Sequence, residues 1–321
     1  MSTVLLTGGA GFIGSHLAEA LLKRGSAVTI LDNFAPFYPR AVKEANVQPA
    51  LDRGAALIEG DITDAALVER AFAAARPETV VHLAACAGVR PSIADPAHYA
   101  LVNVVGAQRL LDAAVRHGAA RFIVASSSSV YGNNEKTPFS ETDDVSRPIS
   151  PYAATKVATE LVCRTASHLH GLNVTALRFF TVFGPRQRPD LAIHTFLSRI
   201  ARGEAIPVFG DGSTSRDYTY INDIIDGVLR AIDRCGSVEP FRCYNLGGEH
   251  PVTLAEMIQA VEQTVGRKAI IDRRPDQPGD VQRTWADLTR CKAELGYEPH
   301  TTLLDGMRKQ WERMRAGGLH E

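Results

Sequence analysis

Two side chains near the middle of the chain have the types and spacing that acid–base chemistry requires. Tyr152 and Lys156 are four residues apart, so a helix would place them on one face. Ser150 is a favourable N-cap and Pro151 a favourable first-turn residue, which predicts that a helix begins here. Tyrosine has an ordinary pKa of about 10, but a nearby ammonium, a helix N-terminus and an oxidised nicotinamide all favour the phenolate. We interpret Tyr152 as an acid/base tuned in this way.

A run of four serines precedes this pair and offers hydroxyl groups to the same reaction. Ser126 follows directly on an apolar segment, and Ser127, Ser128 and Ser129 come next. Their hydroxyls are candidates to bind the substrate oxygen that gains or loses a proton. A Tyr-x-x-x-Lys pair alone is more often a packed tyrosine and a solvated lysine, so the interpretation requires a redox cofactor beside it.

A glycine-rich turn near the N-terminus is the candidate cofactor site. Gly9, Gly11 and Gly14 fit GxGxxG, while Gly8, Gly11 and Gly14 fit GxxGxxG. Either pattern permits a tight turn from a strand into a helix and a close approach of the backbone to a pyrophosphate, which the helix N-terminus then binds. Phe12 and Ile13 belong to the same turn.

Asp32 follows Gly14 by eighteen positions and ends the second predicted strand. Its carboxylate would accept hydrogen bonds from ribose hydroxyls and repel a 2′-phosphate. No Arg or Lys follows until Arg40, which favours NAD over NADP. Asp61 ends the third strand, where a carboxylate could reach the adenine amino group. The remaining cofactor candidates lie at other strand ends or nearby: Asn33, Ile62, Leu83, Ala84, Ala85, Asn103, Ser126, Phe179 and Val182.

The elements that must position these residues alternate along the first two-thirds of the chain. Strands are predicted at 4–6, 27–31, 56–58, 79–83, 122–124, 173–177 and 242–245. Apolar strands separated by helical patterns predict an α/β fold, a doubly wound parallel Rossmann sheet with ligands at the carboxyl ends of its strands. The predicted NAD-binding domain is 1–183, with about 217–247 returning to it.

A smaller α/β substrate lobe is predicted from 184–216 and 248–321. Its segment 184–219 is rich in Gly, Pro, Arg and Asp, with one helix near 194–200. Thr253 and Glu256 form a capping-box pattern for a helix over 252–266, and a last amphipathic helix is predicted at 302–315.

Composition limits the classes of protein. The chain has 321 residues, 45% of them apolar and 22% charged, which is ordinary globular usage and argues against disorder or a fibrous architecture. A net charge of −1 provides no bulk positive field for nucleic acid, although a local basic patch stays possible. Five scattered cysteines without CxxC pairs indicate reduced thiols. With no apolar run of roughly 18 residues, no signal peptide pattern and no metal-ligand spacing, we expect an unprocessed cytoplasmic protein without membrane or nucleic-acid partners.

These motifs together resemble the extended short-chain dehydrogenase/reductases over essentially the whole chain. The resemblance rests on TGGAGFIG at 7–14, Asp32, HLAA at 82–85, SSSSVYG at 126–132, YAATK at 152–156, RFFTVFGP at 178–185, GDG at 210–212, RDYTY at 216–220, Asp223, NLG at 245–247 and PGD at 278–280. It implies that Tyr152 and Lys156 are the catalytic pair, that Ser127 assists, and that the C-terminal lobe binds a nucleotide-diphosphate sugar. It also implies a homodimer through helices near 99–117 and 152–170.

The serine run discriminates between reactions within that family. Sugar 4,6-dehydratases carry an Asp–Glu pair at the positions of Ser128 and Ser129, and UDP-glucuronate decarboxylases usually carry Glu at the second of them. A hydroxyl cannot replace a carboxylate as a base, so dehydration is disfavoured and decarboxylation is weakened. What remains is oxidation at C4, rotation of the keto-sugar and hydride return to the other face, a 4-epimerisation with NAD regenerated.

The loops at 184–190 and 87–92 resemble those of UDP-glucuronate 4-epimerases. Since a guanidinium suits bidentate carboxylate recognition, Arg188 with Thr181 is predicted to hold the C6 carboxylate. Arg90 and Arg186, in the same two loops, are further substrate candidates, although these arginines could instead solvate the lobe or contact diphosphate. The predicted diphosphate and uridine-ribose contacts, each of which could equally be a surface ion pair, are Arg216, Arg283 and Asp280.

The sequence thus predicts conversion of UDP-glucuronate to UDP-galacturonate. Two alternatives remain open: a UDP-glucose or UDP-N-acetylglucosamine 4-epimerase, and a catalytically silent NAD-binding sensor. An RNA-binding relative of the same fold lacks support from the composition.

Overall fold

The computed structural model describes residues 2–275 and 281–317. Its main sheet has seven parallel strands in the order β10-β6-β5-β4-β1-β2-β3. The strands in the described chain are β1 Thr3–Thr7, β2 Ala27–Asp32, β3 Ala56–Glu59, β4 Thr79–His82, β5 Arg121–Ser127, β6 Asn173–Phe179, β7 Thr181–Phe183, β8 Ala205–Phe209, β9 Ser215–Tyr220, β10 Phe241–Leu246, β11 Pro251–Thr253 and β12 Ile270–Arg274.

Helices connect the strands and cover both faces of this sheet. They are α1 Phe12–Lys23, α2 Arg40–Leu51, α3 Ala65–Ala75, α4 Val89–Ala94, α5 Pro96–Ala100, α6 Gly106–Arg116, α7 Pro151–His170, α8 Ala192–Arg202, α9 Ile221–Arg234, α10 Leu254–Val265, α11 Thr289–Leu295 and α12 Leu303–Ala316. A π-helical turn, Leu101–Val105, joins α5 to α6, and a short 3₁₀ turn, Ser128–Tyr131, follows β5.

Alternation along β1 explains the two covered faces. Val4 and Leu6 belong to a core shared with α1, α2 and α9, while Leu5 belongs to a second core shared with α3, α6 and α7. Successive residues of a strand point to opposite faces, so a continuous apolar strand buries both. The predicted doubly wound Rossmann fold is confirmed.

The sheet reverses its winding at β1, which lies between β2 and β4. In such sheets the crevice at the carboxyl ends of the strands around this point is where ligands bind. The glycine turn after β1, Asp32 at the end of β2 and residues 83–85 after β4 all open onto it.

The later part of the chain forms two small sheets, β11-β9-β7 and β12-β8. Of the segment 184–219 only α8 was expected, and β8 and β9 were missed. The predicted helix over 252–266 is present as α10, with Thr253 and Glu256 forming the capping box and Gly266 ending it in the left-handed conformation.

Candidate active site

The three glycines of the GxxGxxG pattern sit where a side chain would not fit. A Cβ on Gly14 would lie 2.1 Å from the carbonyl oxygen of Gly8, and one on Gly8 would lie 2.7 Å from the amide nitrogen of Ala84. Gly8 also has a φ of +75°, a conformation that favours glycine. A Cβ on Gly9 would lie 2.6 Å from the Ile30 side chain of β2, and one on Gly11 would lie 3.2 Å from the Gly8 carbonyl oxygen, so these contacts do not decide between the two glycine patterns.

The turn delivers the chain directly into α1. Gly11 is the N-cap residue, and no side chain caps the helix. The first-turn N–H groups of Phe12 and Ile13 therefore remain as donors for a ligand, with the positive end of the helix dipole behind them. A cradle that excludes Cβ atoms and ends in an uncapped helix fits the pyrophosphate of a dinucleotide.

Asp32 ends β2 beside this turn, as predicted for a ribose acceptor. Its carboxylate is buried and accepts hydrogen bonds of 2.9 Å from the amide nitrogens of Ala10 and Phe34. These bonds fix the carboxylate next to the glycine turn and leave its remaining lone pairs for ribose hydroxyls.

Asp61 and Asn33 form a pair at the ends of neighbouring strands. The Asn33 amide donates to Asp61 over 2.7 Å, and the backbone and hydroxyl of Thr63 donate to the other carboxylate oxygen. Burial opposes ionisation, but these hydrogen bonds outweigh it and hold the pKa of Asp61 below its ordinary value. Ile62, the next residue, is buried against Gly106.

Residues 83–85 follow β4 and pass close to the glycine turn, where Ala84 donates to the Thr7 hydroxyl over 3.2 Å. Asn103 is buried in the π-helical turn and holds the next residue, Cys86, by both backbone groups. Its amide also donates to Thr155 of α7 over 3.0 Å. Asn103 thus fixes the loop after β4 against α7, and its contact with the cofactor stays a prediction.

Ser126 likewise makes a framework contact. Its hydroxyl donates to Glu160 of α7, and Glu160 is paired with Arg178 of β6 in the buried interior. Phe179 and Val182 are buried at the end of β6 and in β7. This buried ion pair ties α7 to the strand ends that carry the serine run.

The catalytic helix begins as the sequence predicts. Ser150 caps α7 by accepting from the amide of Ala153 over 3.1 Å, and Pro151 is its first residue. Tyr152 in the first turn forms a hydrogen bond with Ser127, and the edge of its ring meets the ring of Tyr99 at a centroid separation of 6.3 Å. The phenol and the first catalytic serine therefore lie together.

Burial raises the pKa of Tyr152, although the Ser127 hydrogen bond and the charge of Arg188 act against the rise. The Lys156 ammonium is 5.9 Å from the Tyr152 ring centre and donates to the Ala125 carbonyl over 2.8 Å. The expected phenolate is therefore not favoured by the protein alone, because the interior disfavours the charge more than its neighbours support it.

Burial lowers the pKa of Lys156 to about 8. The side chain is nevertheless mostly protonated at neutral pH. His82, at the end of β4, has its pKa lowered to about 3 by burial, with the Lys156 charge adding to the effect. It packs as a neutral core residue with its Nδ1 2.8 Å from the Thr7 hydroxyl.

The two other serines complete the turn after β5. Ser129 donates to the Ser127 hydroxyl from both its amide, over 3.2 Å, and its own hydroxyl, over 3.0 Å. Ser128 is half-buried in the same turn. No side chain of this run offers a carboxylate to the reacting group.

Arg188 is the predicted substrate residue whose charge reaches the catalytic phenol. Its Nε and Nη2 donate to the two carboxylate oxygens of Asp190 over 3.1 and 3.0 Å. Its positive charge acts on the pKa of Tyr152 and on that of Tyr99. Thr181 is half-buried at the start of β7.

The other predicted substrate arginines are spread over the lobe. Arg186 pairs with Glu19 of α1 over 2.6 Å, so it joins the loop to the dinucleotide-binding half. Arg90, in α4, lies over the ring of Phe209. Arg283 forms a parallel bridge with Ser215, the residue that precedes Arg216 in β9. Asp280 lies outside the described residues.

Sequence reasoning missed an aromatic and cationic cluster between β2 and α2. The ring centre of Phe37 lies 4.9 Å from the Arg188 guanidinium. The charges of Asp32 and Arg188 act on the pKa of Tyr38, Asp32 raising it and Arg188 lowering it. Lys43 is buried in α2 and donates to the Ala35 carbonyl over 2.7 Å; burial lowers its pKa, and the charge of Asp32 acts against that lowering. The sequence Phe-Ala-Pro-Phe-Tyr-Pro at 34–39 was the available signal, since aromatic residues in a loop after a ligand-binding strand are unusual in solvent.

Comparison with known proteins identifies the family. Residues 4–247 match the NAD dependent epimerase/dehydratase family. The chain belongs to this family. NAD is therefore its cofactor, and the prediction of an NAD-dependent epimerase is confirmed at this level.

Individual relatives agree over almost the full length. UDP-glucuronate 4-epimerase 3 of Arabidopsis thaliana is 43% identical over 96% of this chain and 75% of its own. The crystal structure of UDP-glucuronic acid 4-epimerase from Bacillus cereus, in complex with UDP-glucuronic acid and NAD, is 33% identical with a TM-score of 0.91, covering 98% of this chain and 99% of that one. The crystal structure of Thermotoga maritima UDP-glucose 4-epimerase with UDP-glucose is 34% identical with a TM-score of 0.89, at 98% and 99% coverage.

Residues 2–275 and 281–317 contain no group of three or more His, Cys, Asp or Glu side chains that could hold a metal ion, and no helix among them is long and apolar enough to cross a membrane.

Proposed function

We propose that this chain interconverts the C4 epimers of a UDP-sugar and that the sugar is UDP-glucuronate, the product being UDP-galacturonate. The proposal is supported by the likeness to UDP-glucuronate 4-epimerase 3 of Arabidopsis thaliana, 43% identical over 96% of this chain, and by Arg188, whose guanidinium can bind a carboxylate with two hydrogen bonds and whose charge acts to lower the pKa of Tyr152. In a uronic acid the carboxylate carbon, C6, is bonded to C5, the ring carbon next to C4. A guanidinium close to the acid/base is therefore where the C6 carboxylate of a uronate needs its partner.

The dinucleotide would be held by Gly8, Gly11 and Gly14 at the pyrophosphate and by Asp32 at the adenosine ribose. Bound there, NAD supplies a nicotinamide that accepts hydrogen with its electron pair from C4 and gives it back. The chain's own groups manage the proton. Tyr152 takes the proton of the C4 hydroxyl, and Ser127, hydrogen-bonded to Tyr152, binds the same substrate oxygen.

Lys156 supports this proton transfer by its charge. Its ammonium, 5.9 Å from the Tyr152 ring centre, stabilises a phenolate that burial otherwise disfavours. Because the same Lys156 is pinned to the Ala125 carbonyl, the charge stays at a fixed distance from the ring through the catalytic cycle.

Elimination of water from the sugar is not supported by the residues after β5. The Ser129 hydroxyl donates a hydrogen bond to the Ser127 hydroxyl, and the side chain of Ser128 is also a hydroxyl, not a carboxylate. The serine run therefore supplies no carboxylate base for elimination from the 4-keto intermediate, and we propose that this intermediate turns within the site and is reduced from its other face.

The diphosphate is proposed to bind between the two parts of the chain. Arg216 lies in β9, and Arg283 forms an isolated bridge with the preceding residue, Ser215. We divide the chain accordingly into an NAD-binding part, 1–183 with 217–247, and a nucleotide-sugar part, 184–216 with 248–321.

A second candidate substrate, UDP-glucose, is supported by the likeness to the Thermotoga maritima enzyme. The two sugars differ at C6, so Arg188→Ala separates them. With NAD added, we expect the variant to lose turnover of UDP-glucuronate by about 100-fold, as for a lost charge-assisted pair of about 3 kcal/mol. Unchanged turnover of UDP-glucuronate in this variant would show that the carboxylate is not bound by Arg188.

We further propose that the protein is a homodimer. Four large apolar side chains are exposed on the π-helical turn and on α7, Leu101, Val105, Leu161 and Leu169. These two segments pack against each other, so the side chains form an apolar face of the kind that a second copy buries.

A further inference from the structure

The guanidinium of Arg188 is held on two sides by residues outside the predicted site. Its Nε and Nη2 donate to the two oxygens of Asp190, and its central carbon lies 4.9 Å from the ring centre of Phe37. Asp190 is two residues away in the same loop, whereas Phe37 comes from the segment after Asp32 in the dinucleotide-binding half. The cation is thus fixed both by its edge and by its face.

This arrangement leaves one bidentate edge of the guanidinium. Asp190 occupies the side edge, formed by Nε and Nη2, and the remaining edge is formed by Nη1 and Nη2. Within residues 2–275 and 281–317, no hydrogen bond to Nη1 is found. That edge has the geometry that a carboxylate binds with two parallel hydrogen bonds.

The backbone on both sides of Arg188 is also anchored. Gln187 is buried, donates to the Val182 carbonyl over 3.1 Å and accepts from Gln310 of α12 over 2.9 Å. On the other side, the Thr195 hydroxyl donates to the Pro189 carbonyl over 3.0 Å. With the main chain fixed, the direction of the guanidinium depends on the contacts of the side chain itself.

Phe37 is also fixed by its own segment. Its amide donates to the Ala35 carbonyl over 2.8 Å, and the buried Lys43 donates to that same carbonyl over 2.7 Å. Phe37 is 43% exposed, and exposing an apolar side chain to water does not stabilise the fold. Its ring instead attracts the Arg188 cation, and this contact uses none of the N–H groups of the guanidinium.

We infer that Phe37 and Asp190 are positioning residues that select a uronate, by holding the Nη1–Nη2 edge of Arg188 ready for the C6 carboxylate of the substrate. This inference rests on the proposed function. It adds that recognition of the sugar depends on a residue of the dinucleotide-binding half, since Phe37 lies five residues after Asp32.

The test is a comparison of affinities for two ligands that differ at C6. Binding of UDP-glucuronate and of UDP-glucose to the NAD-saturated protein is measured by calorimetry, and the ratio of the two dissociation constants is the readout. We expect Phe37→Leu to weaken UDP-glucuronate binding about threefold to tenfold, the range of a cation–π contact at a partly exposed site, and to change UDP-glucose binding less than twofold. Phe37→Tyr keeps the aromatic face and should keep the wild-type ratio.

Asp190→Asn should weaken UDP-glucuronate binding about twofold to fivefold, because the side edge of the guanidinium loses its matched partner and the cation must be ordered on binding. The matched control for Phe37→Leu is Val238→Ala, because Val238 is an apolar residue of similar exposure in a remote loop. This control should leave the ratio of the two dissociation constants unchanged. Tighter binding of UDP-glucuronate by Asp190→Asn would contradict the inference, since Asp190 would then be a competitor for the cation.

Arg188→Ala separates the two levels of the argument. If this variant keeps the wild-type ratio, the proposed carboxylate site is wrong and the inference falls with it. If Arg188→Ala abolishes the preference for UDP-glucuronate while Phe37→Leu retains it, the carboxylate site stands and only the inference is overturned. In the double variant, Phe37→Leu should have no effect beyond that of Arg188→Ala, because the two residues act through one contact.

Discussion

The phenol of Tyr152 is the residue on which the chemistry depends, and its surroundings act on it in opposite directions. Burial raises its pKa, whereas Ser127 and Arg188 act to lower it, and the raising effect prevails. The protein alone therefore keeps the proton on the phenol at neutral pH. A positive nicotinamide beside the ring is the missing contribution that would release it.

This balance predicts a pH shift on binding of the cofactor. The charged form of Tyr152 is the anion, so an added positive charge stabilises it and moves its titration to lower pH. Difference ultraviolet titration of wild type against Tyr152→Phe should show the phenolate appearing at lower pH with NAD than without it. Identical titrations in the two states would contradict a nicotinamide placed next to this ring.

Lys156 adds a second, separable limb to the pH profile. Its pKa is lowered to about 8, so its stabilising charge on the phenolate is present below that pH and is lost above it. We expect kcat/KM for the proposed sugar to fall as the pH rises through about 8. In Lys156→Met that alkaline fall should be absent and the rate low throughout, whereas an unaltered alkaline limb would assign the fall to another group.

At the scale of single elements, the strand–turn–helix unit formed by β1 and α1 is the most demanding part of the fold. Gly14 lies where any Cβ would approach the Gly8 carbonyl to 2.1 Å, so the helix can begin at that distance from the turn only with glycine. Sequence reasoning found this unit because its steric constraint is local, set by residues a few positions apart in the chain.

Gly14→Ala should therefore weaken NAD binding by at least tenfold, because the turn must open to admit the methyl group. Gly25→Asn is the matched control at the other end of α1, where nothing lies within 4 Å of the added Cβ and asparagine tolerates the positive φ of +81°. Calorimetric titration with NAD and thermal melts of both variants provide the measurement. Wild-type NAD affinity in Gly14→Ala would show that the turn is not the pyrophosphate site.

Other elements could not be predicted, for physical reasons that differ. The strands β8 and β9 lie in short sheets of two and three strands, and their pairing is set by distant partners instead of a local apolar period. Asn103 and Ser126 were expected at the cofactor because of their positions. That role stays a prediction, and the sequence did not show their hydrogen bonds to Cys86, Thr155 and Glu160, because only the folded chain brings these residues together.

At the scale of the whole molecule, the sugar-recognition loop and the dinucleotide-binding half meet directly. Arg186 pairs with Glu19 of α1, and Arg188 contacts Phe37 in the segment after β2. The predicted division assigned cofactor binding and sugar binding to separate parts of the chain. These contacts join the two parts, because Glu19 and Phe37 of the first part hold Arg186 and Arg188 of the second.

The proposed dimer also belongs to this scale. Leu161, the most central of the exposed apolar residues of α7, is 59% exposed. Leu161→Glu should convert the dimer to a monomer in light scattering, because a charge buried without a partner costs several kcal/mol. Val238→Glu, at a site of similar exposure (54%) in a remote loop, should leave the dimer intact. A wild-type protein that is monomeric at micromolar concentration would contradict the proposal.

The most direct test of the whole account follows the hydrogen atom at C4 of the sugar. The purified protein with NAD is given UDP-glucuronate deuterated at C4, and the product is examined by proton NMR. The account predicts UDP-galacturonate that retains the deuterium at C4, without loss of carbon dioxide and without accumulating NADH. A product with solvent hydrogen at C4, a decarboxylated sugar, or no conversion of this substrate would contradict it.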